Sequence, residues 1–192
     1  MVGPNANASM NLLSGYHGAP PRLVSPLQAM TKIWEGHSGK VLYSVGSNVS
    51  LVDNKGNVTP PAIAAAAIAA AVAVAKQADA VVLGLGLCGD NYGGGPPKED
   101  STCYKINEAE SVDRANLTLP GKHAPDKPEN PPFSFVRLTY VFISHSLAGA
   151  QLPLFRALLA TGKPLVVFLM NAGPVDVAEI KASGVPIVAA GY

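Results

Sequence analysis

Ala80-Val81-Val82-Leu83-Gly84-Leu85-Gly86-Leu87 is an unbroken run of apolar residues and glycines. A strand with one wet face alternates apolar and polar positions, so a run with no polar position reads as a strand buried on both faces of a parallel sheet. The segment before it, Ala62 to Ala78, is alanine-rich, and Ile63, Ala67, Ala70 and Val74 recur at helical spacing, which predicts a helix. The pattern repeats downstream. A helix over Leu154 to Ala160 leads into the apolar strand Pro164 to Met170 (PLVVFLM), and a short helix over Val177 to Ala182 leads into the strand Val185 to Ala190. Such alternation predicts an α/β fold, with a largely parallel sheet and helices on both faces as an α/β sandwich. Upstream, Ser25 stands at an N-cap and Pro26 at the first position of a helix running to about Trp34. Lys40 to Val45 (KVLYSV) is expected as a further strand, and Met1-Val2-Gly3-Pro4 as the end of one.

Composition narrows the function classes. The 192 residues are 48% hydrophobic and 14% charged with a net charge of +1. That is enough apolar material for one core, and it argues against nucleic acid or an anionic membrane surface as the partner. The longest apolar run, the 14 residues Ala62 to Ala75, is mostly alanine. It is too short and too weakly apolar to cross a bilayer. Cys88 and Cys103 bracket a 14-residue Gly- and Pro-rich stretch and are a candidate disulfide, and Asn7, Asn48, Asn57 and Asn116 each open an N-x-S/T sequon. Together they point to an extracellular or secretory parent, although no signal peptide opens the chain.

In a parallel sheet, function collects on the loops after the strand C-termini, here after Leu87 and after Met170. Gly84-Leu85-Gly86-Leu87-Cys88-Gly89 is formally G-x-G-x-x-G, but its first glycines lie inside the apolar run and Gly93-Gly94-Gly95-Pro96-Pro97 follows. No helix can start there to face a pyrophosphate, so close backbone packing explains these glycines better than nucleotide binding. Further along, Glu108, Glu110, Asp113 and Arg114 crowd into seven residues. A solvated charged loop is the plain reading. The functional reading is a carboxyl that serves as proton donor beside an Asp/Arg pair, its pKa raised when a partner surface excludes water. His17, His37, His123 and His145 are scattered, with no metal-ligand spacing and no argument for a Ser-His-Asp triad. No cofactor or metal is expected. Trp34 is expected in the core or at a domain interface, more than as a platform for a sugar ring.

Glu110-Ser111-Val112-Asp113-Arg114 with Leu117-Thr118-Leu119-Pro120-Gly121 resembles the E-x-x-D-R…L-x-L-P-G signature of glycoside hydrolase family 3, of the β-xylosidase and β-glucosidase type. Other segments match family motifs in the same order: Gly3-Pro4-Asn5-Ala6-Asn7, Gly15-Tyr16, Ser25-Pro26-Leu27-Gln28, Lys163-Pro164-Leu165-Val166-Val167, Gly173-Pro174-Val175-Asp176-Val177 and Gly191-Tyr192. The resemblance implies the C-terminal α/β sandwich domain over 1–192, cut short at both ends, of a retaining exo-glycosidase. Its substrate would be an oligosaccharide or aryl β-glycoside. The nucleophilic aspartate would belong to an N-terminal (β/α)₈ barrel absent from this chain, and Glu110 would be the acid/base, with Glu108 as the runner-up. Asp113 and Arg114 would order the loop, and the fragment alone would be inactive.

Two stretches, about 89–105 and 123–150, stand out as insertions against that pattern. The second separates Leu119-Pro120-Gly121-Lys122 from Gln151-Leu152-Pro153 and is expected to be dispensable for the fold. Two other readings stay open: a sandwich that only binds carbohydrate or a protein partner, and a truncated, inactive gene product.

Overall fold

In a computed structural model of the chain, residues 1–9, 19–49, 51, 58–87, 150–171 and 173–191 are described. They hold α1 (Pro26–Trp34), α2 (Pro61–Lys76), β1 (Val81–Gly86), α3 (Gln151–Leu159), β2 (Leu165–Met170), α4 (Ala178–Ala182) and β3 (Ile187–Ala190). The three strands form a parallel sheet in the order β1-β2-β3, with Leu83 opposite Val167 and Val167 opposite Ile187. The α/β reading is therefore borne out. Each strand is reached through a helix, as parallel pairing requires.

Register sorts the sheet into two faces. Val81, Leu83 and Leu85 of β1 line up with Leu165, Val167 and Leu169 of β2, and all six are buried. They pack on Ala71 and Ala75 of α2, Leu154, Phe155 and Leu158 of α3, and Ile180 of α4. On the other face Val82, Val166 and Phe168 are half-buried and Val188 is 53% exposed. The turn at Ala6 lies over Gly84 on this side, and α1 hangs from that turn through the Leu27 N–H to the Ala6 carbonyl, 2.8 Å.

Two parallel single-residue bridges extend the pairing beyond β1. Val2 lies between Leu83 and Ser44, donating to the Val82 carbonyl at 2.8 Å and accepting from the Gly84 N–H at 2.7 Å. Along the sheet the order is thus Ser44, Val2, β1, β2, β3. From Val2 the chain winds first to one side and then, from β1 onward, to the other. That reversal is a topological switch point, and the crevice above it is where open α/β sheets place their ligands.

Several expectations change in detail. Lys40 to Val45 makes only the bridge at Ser44, because its neighbour leaves the sheet at Gly3 (φ 117°) and Pro4, which has no N–H to pair. In α2 the buried stripe is Ala71 and Ala75, flanked by Ile68 and Val72, while Ile63 is 61% exposed and Ala70 is exposed too. An almost uniformly alanine helix offers little contrast between faces, so spacing alone misplaces its stripe. The third helix begins at Gln151, three residues earlier than expected, with Pro153 in its first turn, where a missing N–H costs nothing. Ala150, the last residue of the 123–150 stretch, is buried and is its N-cap. Trp34 is not in the core. It is 47% exposed, packed over Gly39, and meets the His37 ring edge-on at 5.7 Å.

Candidate functional site at the exit of the central strand

The crevice is built where the turn after Val2 meets the end of β1. Gly3 and Gly84 touch backbone to backbone: a Cβ on Gly3 would fall 2.2 Å from the Gly84 carbonyl oxygen, and one on Gly84 would fall 2.9 Å from the Ala6 nitrogen. Gly86 has φ 141° and lies against the Met170 carbonyl. Close approach thus accounts for Gly84 and Gly86 without a nucleotide.

Among the described residues, four polar ones are buried: Asn5, Ser25, Ser47 and Gln151. Asn5 Nδ2 donates to the carbonyls of Leu85 (3.3 Å) and Leu87 (3.1 Å). Gln151 Oε1 accepts from the Gly86 N–H (2.9 Å), while its Nε2 donates to the carbonyls of Gly86 (3.0 Å) and Val49 (3.2 Å). Ser25 Oγ caps α1 by accepting from the Gln28 N–H (3.1 Å), Gln28 Oε1 accepts from the Ser25 N–H (3.0 Å), and Ser25 Oγ donates to Asn7 Oδ1 (2.8 Å). This reciprocal capping box ties α1 to the turn after Val2. Among the described residues, Ser47 Oγ has no hydrogen-bond partner.

Beside the crevice, a groove of about 690 Å³ runs along α1, lined by Asn7, Arg22, Gln28, Thr31, Lys32 and Glu35 among others. At the end of the neighbouring strand, Asn171 closes the turn after β2 through the Gly173 carbonyl, and Asp176 Oδ1 accepts from the Ala178 N–H at the start of α4. Arg156 of α3 and Glu179 of α4 form a two-pronged ion pair, 2.6 Å at each contact. Hydrogen bonding from Arg156 holds the Glu179 carboxyl below its ordinary range, and the same contact raises the guanidinium. Both side chains are exposed.

Glu110, Glu108, Asp113, Arg114, Cys88 and Cys103 lie outside the described residues. The described chain reaches Leu87 at the crevice and resumes at Ala150, beside it. Asn5 and Gln151 are the residues that reading the sequence for chemistry missed. The available signal was an amide opening an otherwise apolar helix (QLPLF) and an asparagine directly after a Gly-Pro turn.

No family model matches the chain. Among curated proteins it is similar to an exo-1,4-β-xylosidase of Aspergillus oryzae, 28% identical over 181 residues, and to β-D-xylosidase 3 of Arabidopsis thaliana, 34% identical over 122 residues. These alignments cover 94% and 64% of this chain but only 15% and 12% of the relatives, so the chain spans a small part of their length. A solved β-glucosidase structure from Erythrobacter marinus shares the fold over 100% of this chain and 22% of its own, with a TM-score of 0.59 at 24% identity. These curated relatives are thus β-xylosidases by name, and the fold of the chain has a counterpart in a solved structure.

Proposed function

We propose that the chain is the acid/base half of a retaining exo-acting β-glycosidase of the family 3 type, a β-xylosidase or β-glucosidase of a secreted parent. The supporting observation is the similarity to β-xylosidases along 94% of the chain, in a fold whose switch point lies at the exit of β1 and whose next segment carries Glu108, Glu110, Asp113 and Arg114. In this reading Glu110 protonates the glycosidic oxygen as the bond to the anomeric carbon breaks. A barrel aspartate takes that carbon as a glycosyl ester. Glu110, now ionised, then removes a proton from the water that attacks the same carbon, which frees the sugar with its configuration retained. The two carboxyls of such a pair stand about 5–5.5 Å apart. Docking against a barrel would exclude water from Glu110 and raise its pKa toward the value a proton donor needs.

The test joins the full chain to the N-terminal part of the A. oryzae relative and compares Glu110→Ala with Glu108→Ala. Glu110→Ala should lose about 10²–10⁴-fold on xylobiose, whose leaving group needs a proton, and far less on a dinitrophenyl xyloside. Azide should restore turnover of the activated substrate. The same pattern in Glu108→Ala instead would move the assignment by two residues. Binding of xylobiose with no pattern in either variant would make the chain a carbohydrate-binding module.

A further inference from the structure

The backbone pairing on the Val2 side of β1 continues past the point where there is a strand to supply it. Val82 and Gly84 pair with the backbone of Val2, and the Gly84 carbonyl accepts from the Asn5 N–H at 3.2 Å. The next residue facing that side is Gly86, and by then the neighbouring chain has turned away at Pro4. The side-chain amide of Gln151 takes its place, meeting both the N–H and the carbonyl of Gly86 as an adjacent strand would. Asn5 grips the carbonyls on either side, Leu85 and Leu87. Both amides are fully buried, where a donor or acceptor without a partner is costly. Leu85 and Gly86 at the end of β1, and Leu87 just beyond it, are thus held by one side chain 80 residues before Leu85 and another 65 residues after Gly86.

We propose that Asn5 and Gln151 are positioning residues: they fix the direction in which the chain leaves β1 at Leu87 and so set where the acid/base carboxylate comes to lie. The proposal rests on the assignment of that carboxylate to the segment after Leu87. An apolar side chain at either position would leave backbone groups at the end of β1 buried without a partner: the Gly86 N–H and carbonyl at 151, the Leu87 carbonyl at 5. The two buried amides complete the hydrogen bonding where β1 ends, one of them also holding the Val49 carbonyl, and so tie the direction of the strand exit to the turn after Val2 and to the start of α3.

Two variants keep the shape and remove the donor: Asn5→Asp and Gln151→Glu. An ionised carboxylate cannot donate to the Leu87 or Gly86 carbonyl, whereas its protonated form can. In the full 192-residue chain, amide exchange should speed about tenfold or more at Gly86 and Leu87 and stay unchanged at Leu83 and Val167. Burial raises the new carboxyl's pKa, so protection should return on acidification. In the barrel-joined enzyme, both variants should lose about 10²-fold in kcat on xylobiose, with KM little changed and a smaller loss on the dinitrophenyl xyloside. Equal acceleration of exchange along β1 and β2, or an equal loss on both substrates, overturns the proposal. A leaving-group dependence in Glu110→Ala without one in the amide variants sinks the proposal alone. The reverse result leaves the amides standing as positioning residues and moves the acid/base away from Glu110.

Discussion

Gly86 leaves no room for a side chain: a Cβ on it would fall 1.8 Å from the carbonyl oxygen of Met170, its register partner on β2. Its φ of 141° is also one that residues with a side chain rarely adopt. Gly86→Ala should therefore destabilise the chain by about 3 kcal/mol or more, since strain and overlap add. Gly162 offers the comparison. Its φ is 69° with nothing within 4 Å, so Gly162→Ala should cost only about 1–2 kcal/mol. Urea titration of both variants checks the order, and a milder effect at Gly86 would refute the packing account of that glycine.

Ser25 caps α1 and also holds Asn7. Ser25→Ala should lower stability by about 1–2 kcal/mol. Gln28→Ala removes the return half of the box and should cost less, because the Ser25 hydroxyl still accepts from the N–H of residue 28. Helix content and urea midpoint measured together would separate loss of the cap from loss of the tie to the turn.

The Arg156–Glu179 pair sets a small pH dependence. A carboxyl held below its unfolded value contributes stability that is present above the unfolded pKa, about 4.3 for Glu, and is lost as pH falls through the lower folded value. Both side chains are substantially exposed, so the contribution at pH 7 is less than about 1 kcal/mol and shrinks in salt. Glu179→Gln should lower the urea midpoint slightly at neutral pH and low ionic strength, with the difference fading below about pH 4. A difference that grew on acidification would contradict the sign.

Cys88 and Cys103 should be joined in protein made in an oxidising compartment, adding about 3 kcal/mol by the chain-entropy model for a loop of this length. Intact mass after alkylation without reductant checks it. Two alkylated thiols would exclude the bond.

The fold was largely legible because its strands are apolar throughout: VVLGLG and LVVFLM have no polar position to mislead. Ser25-Pro26 placed the start of α1 to the residue, since cap chemistry is local. The exposed Ile63 and Ala70 show where pattern fails, in a helix whose faces barely differ. The single bridge at Ser44 shows another failure, because a strand's length is set by the partner that leaves at Pro4. The crevice was legible only as a place, the C-terminal end of β1. For Gln151 and Asn5 the sequence shows an amide in an unusual place but not what it holds, because their partners are backbone atoms 65 and 80 residues away.

Those separations bear on how the molecule assembles. The helices and capping box are local and can form as soon as their own residues are present. Val2, by contrast, lies between Ser44 and Leu83, so the first residues of the chain are inserted between two segments made much later. Closing loops of this length is slow because the entropy is lost before the contact is gained. On a ribosome the end of β1 must wait for residue 151 to emerge before Gly86 finds the amide that completes its pairing. Leu87 would therefore take its final direction only after residue 151 has been made, and a nascent chain halted short of Gln151 would lack the amide that completes the pairing of Gly86.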